Sequence, residues 1–400
     1  MTDELNNQRN YAHLPEELLG KILENIPATV DKMNRLFDLQ EEPIKNGMTE
    51  LRDKQLILEN NAQEFSTSLI AVDGGVVLEK MTGTDILLAV AVGVEGLTED
   101  NNAGWSTAKN QYYQWQTVLA HDEANPRLCQ GVMFLMELSV LANADHDVRI
   151  MDGTHFTPIL KINSLLSAQE DRAGPQYTQA LKDFLKETYE KLIPDIPDIV
   201  SSAMRDDKII AIAKYSSSRD IIDAYLKDKG INIDDKTFFS LGLNENEYLT
   251  PLSVGQSIEE REKVWNDLHI LCNLRIPEQA GLNMAFEKAV NTLRTKNEHS
   301  GSKESELYFT YYKPYQDGPA YRIEVKKELA LNGERLKKYL LSIKRQIVFP
   351  EIREPFPQFL VDLMAKNIAG GLFAIQEAIR LSPNLKLDKG KFNLLFNYRT

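Results

Sequence analysis

Between residues 131 and 144 lie fourteen residues of which Glu137 alone is charged. A segment this apolar, running over 126–144, reads as a helix that must be covered on nearly every side, so the surrounding chain has to supply a sheet and further helices to cover it. The run Ser68-Leu69-Ile70-Ala71-Val72 precedes it and Val148-Arg149-Ile150-Met151 follows it. Both have the length and apolar content of buried strands, and strand, helix and strand return to one sheet. Glu137 is then the anomaly. An ionised carboxylate without a partner in apolar surroundings is costly, so it needs a cation, hydrogen bonds or a solvent-facing sliver of the helix.

The remaining chain fills out an α/β plan. From 14 to 61, apolar residues such as Leu18, Ile22, Ile26, Met33, Leu36 and Phe37 recur at helical spacing, which predicts two or three helices and an N-terminal helical arm over 1–62. A single domain over 63–400 is expected to follow. The run 68–72 ends at Asp73-Gly74-Gly75 and Val76-Val77-Leu78 resumes, which predicts strand, glycine turn, strand; 85–94 supplies a third strand, and the three suggest an antiparallel meander. A polar stretch around Trp105 and Trp115 comes before the apolar helix. Residues 176–192 are helical by pattern, 208–213 reads as a strand, and the polar segment 225–306 as an insertion. Residues 307–312 and 321–325 form a predicted hairpin about Asp317-Gly318-Pro319, and helices are expected over 357–369 and 372–381. The expected fold is a mixed sheet, an antiparallel meander plus parallel strands, flanked by helices and closed by a helical C-terminal region.

Bulk properties narrow the function classes. With 42% hydrophobic and 26% charged residues the chain is ordinary globular material. Its longest apolar run, 86–94, is too short to span a bilayer as a helix. The opening Met1-Thr2-Asp3-Glu4-Leu5 lacks the features of a secretory signal, so no membrane association and a cytoplasmic location are expected. Cys129 and Cys272 stand far apart without His or Cys at ligand spacing, which indicates neither a disulfide framework nor a structural zinc site. A net charge of −13 argues against strong unaided binding to nucleic acid, although Lys326-Lys327, Lys337-Lys338 and Lys344-Arg345 offer local basic stretches. Something else would then deliver a nucleic-acid substrate.

Candidate chemistry gathers at the strand ends. Asp73-Gly74 and Asp152-Gly153 each follow an apolar run. A strand-end Asp before Gly is commonly a turn former, but two of them from separate parts of the chain can lie side by side. Asp362 repeats the anomaly of Glu137, standing within Phe359-Leu360-Val361-Asp362-Leu363-Met364-Ala365. Hard oxygen donors of this kind suit Mn2+ or Mg2+, and in a two-metal site one ion activates water while the other stabilises the leaving oxygen. Lys214, with Ser217 and Arg219 beyond it, is placed to hold a phosphate or offset its developing charge; a solvated basic loop is the plainer reading. His155 reads as an ordinary core or surface histidine. Tyr308, Phe309, Tyr311, Tyr312 and Tyr315 could stack on unpaired bases, but aromatic residues favour strands for packing alone.

Taken in order, Ala71-Val72-Asp73-Gly74-Gly75, Glu137 on a helix, Met151-Asp152-Gly153-Thr154, and Ile212-Ala213-Lys214 followed by Ser217 and Arg219 resemble the NurA nuclease family over about 68–368. The resemblance implies an RNase H-like core, a homodimer, and Mn2+-dependent cleavage of DNA, both 5′ to 3′ from ends and internally in single strands. It also implies a HerA-type hexameric ATPase as partner in DNA end processing or phage defence. The family's first acid falls on Asp73, its helix Glu on Glu137, its Asp-Gly acid on Asp152, and its last metal position, after a Pro-containing stretch, near Asp362. Gly75 departs from the small hydroxyl residue common there, and 225–306 has no counterpart in the family pattern. Two rival readings share these residues. One is an actin or sugar-kinase-like phosphotransferase with Asp73-Gly74-Gly75 as its first phosphate loop; the other is a non-catalytic docking subunit of a motor complex.

Overall fold

The computed structural model describes residues 15–63, 67–97, 111–167, 206–253, 307–348 and 352–386, with 388, 390 and 391. Three helices come first, α1 (Glu16–Glu24), α2 (Ile26–Asp38) and α3 (Glu41–Asp53), then a short strand β1 (Ile57–Glu59). Helix α3 buries Ile44, Gly47, Met48 and Leu51, one face at i, i+3, i+4, i+7 spacing. β1 pairs with β7 (Glu247–Leu249) at the sheet's edge, so α3 and β1 are built into the body of the fold.

The expected glycine turn is absent. Residues 69–80 form one continuous strand, β2 (Leu69–Lys80), paired antiparallel along its length with β3 (Thr84–Glu95). Asp73, Gly74 and Gly75 stand in mid-strand, opposite Val92, Ala91 and Val90. The third strand of the meander is β4 (Tyr112–Ala120), inside the stretch read as polar. Its signal is strict alternation: Tyr113 and Trp115 are buried, while Tyr112, Gln114 and Gln116 are exposed. Removing the turn also removes the phosphate-loop geometry on which the kinase reading depended.

Helix α4 (Asn125–Asn143) is the apolar helix, with Pro126 in its first turn, where the missing N–H costs nothing. The Asn125 side chain ties its start to the meander, donating to Asp85 Oδ2 at 2.8 Å and Ala120 O at 2.9 Å. After it come β5 (Val148–Asp152), α5 (Phe156–Ser167) and β6 (Ile209–Ala213). β5 runs parallel to both β2 and β6. Next are α6 (Asp220–Tyr225), α7 (Asp235–Gly242), β7 and β8 (Leu252–Ser253), the hairpin β9 (Leu307–Tyr312) and β10 (Tyr321–Lys326), then α8 (Lys327–Ala330), α9 (Gly333–Arg345), α10 (Phe356–Lys366) and α11 (Ile368–Leu381).

The ten described strands form one sheet in the order β1-β7-β9-β10-β6-β5-β2-β3-β4, with β8 also on β9. This is a mixed RNase H-like sheet, a meander continued by parallel strands and flanked by helices, as expected. The predicted helix over 176–192 and Trp105 lie outside the described residues. Of the segment 225–306, residues 247–249 and 252–253 add β7 and β8 to the sheet. Helix α9 lies outside the helices expected from the sequence, and it carries Lys337, Lys338, Lys344 and Arg345. Lys326 is buried, and Lys344 pairs with Glu245 at 2.7 Å, so neither is free to track a phosphate backbone.

Apolar clusters of the described residues cover the sheet, two of them on its central and β9 regions. One joins Ala71, Ile150, Ile212 and Ile323 to Leu340, Ile343 and Val361 of α9 and α10. The other joins Phe309 and Tyr311 to Met48, Leu51, Phe238 and Phe239, with Tyr311 stacked on Phe239 at 4.6 Å. These aromatic residues are packing, as the plainer reading of their sequence pattern held.

The two central glycines are explained by what crosses them. Helices α4 and α10 both pack on β2 and β3. A Cβ added at Gly74 would meet Met133 Cγ and Glu137 Oε1 of α4 at 2.5 Å, and one at Gly75 would overlap the Ala365 carbonyl oxygen of α10. Successive strand residues face opposite ways, so each glycine admits one helix. Gly75→Ala is expected to push α10 off the strand and cost about 1–3 kcal/mol, the range of an overpacked core position. Denaturant unfolding checks this; unchanged stability would contradict the close approach.

Candidate active site

Strand register brings the candidate residues to one level of the sheet. β2 pairs with β5 up to Val72 opposite Met151, and β5 pairs with β6 up to Asp152 opposite Ile212. β5 therefore ends beside Asp73 while β2 continues past it, and β6 ends one residue later, at Ala213, before Lys214. Gly153, at φ +86°, turns the chain away from the sheet, its N–H donating to Ile212 O at 3.0 Å. Adjacent strands thus present Asp73, Asp152 and Lys214 together. This is the crevice beyond the carboxyl ends of parallel strands, a favoured ligand position in α/β sheets.

Lys214 is the hub. Its ammonium lies 2.9 Å from Glu354 Oε2, 3.5 Å from Asp152 Oδ2 and 3.6 Å from Asp362 Oδ1. The Gln358 amide donates to Asp152 Oδ1 at 2.5 Å, and Lys366 pairs with Asp362 at 2.6 Å. Glu137 reaches the same crevice from α4 across Gly74. It is 3% exposed, and its Oε1 has no hydrogen-bond partner among the described residues. Asp73 Oδ1 accepts from the Gly74 N–H at 2.8 Å.

The electrostatics follow from crowding. Burial, and then the neighbouring Asp152 carboxylate, push Asp73 up to about 7. Burial, reinforced by Asp73 and Asp152, holds Glu137 well above the usual carboxylate range. Burial also raises Glu354, against the opposing pull of Lys214. For Lys214 burial would lower the pKa, but Asp152, Glu354 and Asp362 together outweigh it and hold the ammonium above its ordinary value. Five acids thus share two lysines, one of which, Lys366, is mostly exposed.

Among the described residues no group of three Asp, Glu, His or Cys side chains is closed enough to form a finished coordination sphere. The donors nonetheless suit hard divalent cations. They are all carboxylate oxygens, they come from separate elements, one of them is buried without a partner, and their shared repulsion is what a cation relieves.

The structure brings together Asp73, Glu137, Asp152, Lys214 and Asp362. It does not bring Arg219 to them: that guanidinium donates to the Ile233 and Ile231 carbonyls at 2.6 and 2.9 Å, bracing its own loop. Ser217 lines a cavity next to the acids. His155 is a core residue, its backbone N–H donating to Glu324 at 3.0 Å. Glu354, Gln358 and Lys366 were missed. Their signal was present, because Glu354, Gln358, Asp362 and Lys366 recur every fourth residue through an otherwise apolar stretch, the last three on one face of α10 and Glu354 two residues before its start.

An RNase H-like sheet whose neighbouring strand ends and two covering helices gather carboxylates defines a class of proteins with an acidic centre in the sheet's crevice. Within that class, the NurA domain matches residues 67–348, and the chain belongs to the NurA family. Among solved structures, it resembles NurA bound to dAMP and manganese, at 12% identity and TM-score 0.50 over 96% of this chain and 100% of that one. A further NurA structure matches at 10% identity and TM-score 0.50 over 90% and 98%. The NurA nuclease from Sulfolobus solfataricus matches at 14% identity and TM-score 0.48 over 92% and 100%. At such identities the two likenesses at TM-score 0.50 speak to the fold alone. Comparison with curated protein sequences finds no match.

A stability measurement tests the crowding. Because Asp73 titrates near 7 when folded and near 3.8 when unfolded, the folded protein binds the extra proton between those values, and stability from this group rises as pH falls from 8 to 5. Glu137 acts in the same direction. In divalent-free buffer Asp73→Asn is therefore expected to raise Tm at pH 8 by a few degrees and to flatten the pH dependence. A lowered Tm at pH 8 would contradict the repulsion.

Proposed function

We propose that the protein is a metal-dependent DNA nuclease hydrolysing phosphodiester bonds. The observation that carries this reading is the convergence of acids from β2, α4, β5 and α10, with Asp73 and Glu137 pushed up by burial and mutual repulsion, in a chain of the NurA family. Asp73, Glu137, Asp152 and Asp362 would hold Mn2+ or Mg2+. When bound, such ions supply an activated water and stabilise charge on the leaving oxygen. The metal in relatives, as in the NurA structure with dAMP and manganese, supports this choice.

The chain's own residues account for the rest. Lys214, held in place by Glu354, offers its ammonium to a non-bridging phosphate oxygen and offsets the charge that develops there. Gln358 fixes the orientation of the Asp152 carboxylate, and Gly74 lets Glu137 approach from the far face.

The finer reading extends to context. The protein acts as a homodimer on single strands and on duplex ends, as a 5′ to 3′ exonuclease and a single-strand endonuclease, in the cytoplasm. A HerA-type hexameric ATPase delivers the DNA for end processing or phage defence. The net charge of −13 supports dependence on such a motor, because the nuclease surface alone would bind DNA weakly. Among the described residues no helix is long and apolar enough to cross a membrane.

Labelled single-stranded DNA with Mn2+ tests the activity. Cutting is expected to stop with EDTA and to consume no ATP. Asp73→Ala and Asp152→Ala are expected to abolish cutting in a folded protein, and Gln358→Ala to reduce it roughly 10- to 100-fold, as for residues that orient metal ligands. Undiminished cleavage by either Asp variant would remove the proposed centre.

A further inference from the structure

Beside the acids, and sharing Lys214 and Glu354 with them, lies a cavity of about 780 Å3 that nothing in the chemistry above uses. Its size falls within the roughly 300–1,000 Å3 of small-ligand pockets. Tyr215 lines it from the loop after β6 and is 93% exposed, an aromatic ring with almost nothing packed over it. The Lys236 ammonium stands 5.8 Å from the centre of that ring and donates to the Lys214 carbonyl. Arg353, exposed, adds a second cation. The local charge balance is positive in a chain that is acidic overall. Asp234 is occupied as the N-cap of α7, accepting from the Thr237 N–H and hydroxyl at 2.8 and 2.9 Å, and Glu354 is paired with Lys214.

We propose that this cavity binds the unpaired nucleotides next to the scissile phosphate, with Tyr215 as a stacking platform for one base and Lys236 and Arg353 as partners for the flanking phosphates. The inference rests on the nuclease reading and gives its substrate a form. Stacking needs a base face free of its neighbours, so the cavity selects single strands; duplex bases, stacked within the helix, cannot use Tyr215. Cationic groups with an open aromatic ring are the combination by which proteins hold single-stranded nucleic acid without reading its sequence.

The test uses the full-length protein with Tyr215→Ala, Tyr215→Phe and Arg353→Ala. Binding of a labelled oligothymidylate is measured in EDTA, and cleavage with Mn2+ is measured on that strand and on the p-nitrophenyl ester of thymidine 5′-phosphate, which carries one nucleoside. Tyr215→Ala is expected to weaken strand binding roughly ten-fold or more, the scale of one lost stack, and to lower kcat/KM for the strand relative to the ester by a similar factor. Tyr215→Phe, which keeps the ring, is expected to restore both. Arg353→Ala is expected to weaken binding and flatten its salt dependence. Strand binding and the strand-to-ester ratio unchanged in both alanine variants would overturn the cavity. Tyr215-dependent strand binding by a wild-type protein that cleaves neither substrate would uphold the cavity and overturn the nuclease reading.

Discussion

Strand β2 is crossed by a helix on each face, and two consecutive glycines let both come into contact with its backbone. Most of the site follows from that double approach. Gly74 admits the Glu137 carboxylate of α4, and Gly75 admits the Ala365 carbonyl of α10. Asp73, one position earlier, is thereby enclosed among acids carried by both helices and by the end of β5. A side chain at either glycine would hold one helix away from the strand. The burial that raises Asp73 and Glu137 is therefore a product of helix-on-strand packing.

Charge balance explains the second layer. Like carboxylates held in a half-buried crevice are unfavourable unless cations or protons compensate them. Lys214 supplies part of that compensation from the end of β6, and it is met by Glu354, just before α10, and by Asp362 on the helix itself. Elements from early, middle and late parts of the chain are thus needed at once. The same balance separates the crevice, where acids dominate, from the adjoining cavity, where Lys214, Lys236 and Arg353 outnumber Asp234 and Glu354.

Much of this was legible in the sequence, where local pattern and tertiary role agreed. α4, β5, β6 and the β9–β10 hairpin fell where apolar runs and their boundaries placed them. Glu137 stood out because its charge broke an apolar run, and Asp73 and Asp152 because each closed one. The failures came where the reason for a residue lay far away in the chain. Gly74 and Gly75 read as a turn, since nothing local shows that two distant helices need the space. β4 was hidden by its polar outer face, although Tyr113 and Trp115 alternate correctly. Helix α10 was expected over 357–369, but of its polar face only Asp362 stood out, because Gln358 and Lys366 take on a role only beside Asp152 and Asp362. Arg219 sat at the right distance from Lys214 in sequence, but its guanidinium is taken up by the carbonyls of the following loop.

The central claim is that carboxylates from β2, α4 and β5 jointly hold a divalent cation in this crevice. Anomalous scattering from crystals equilibrated with Mn2+ tests it most directly. The account predicts an anomalous peak bound by the side chains of Asp73, Glu137 and Asp152. Manganese found only at other sites, or none in the crevice at saturating concentration, would contradict it.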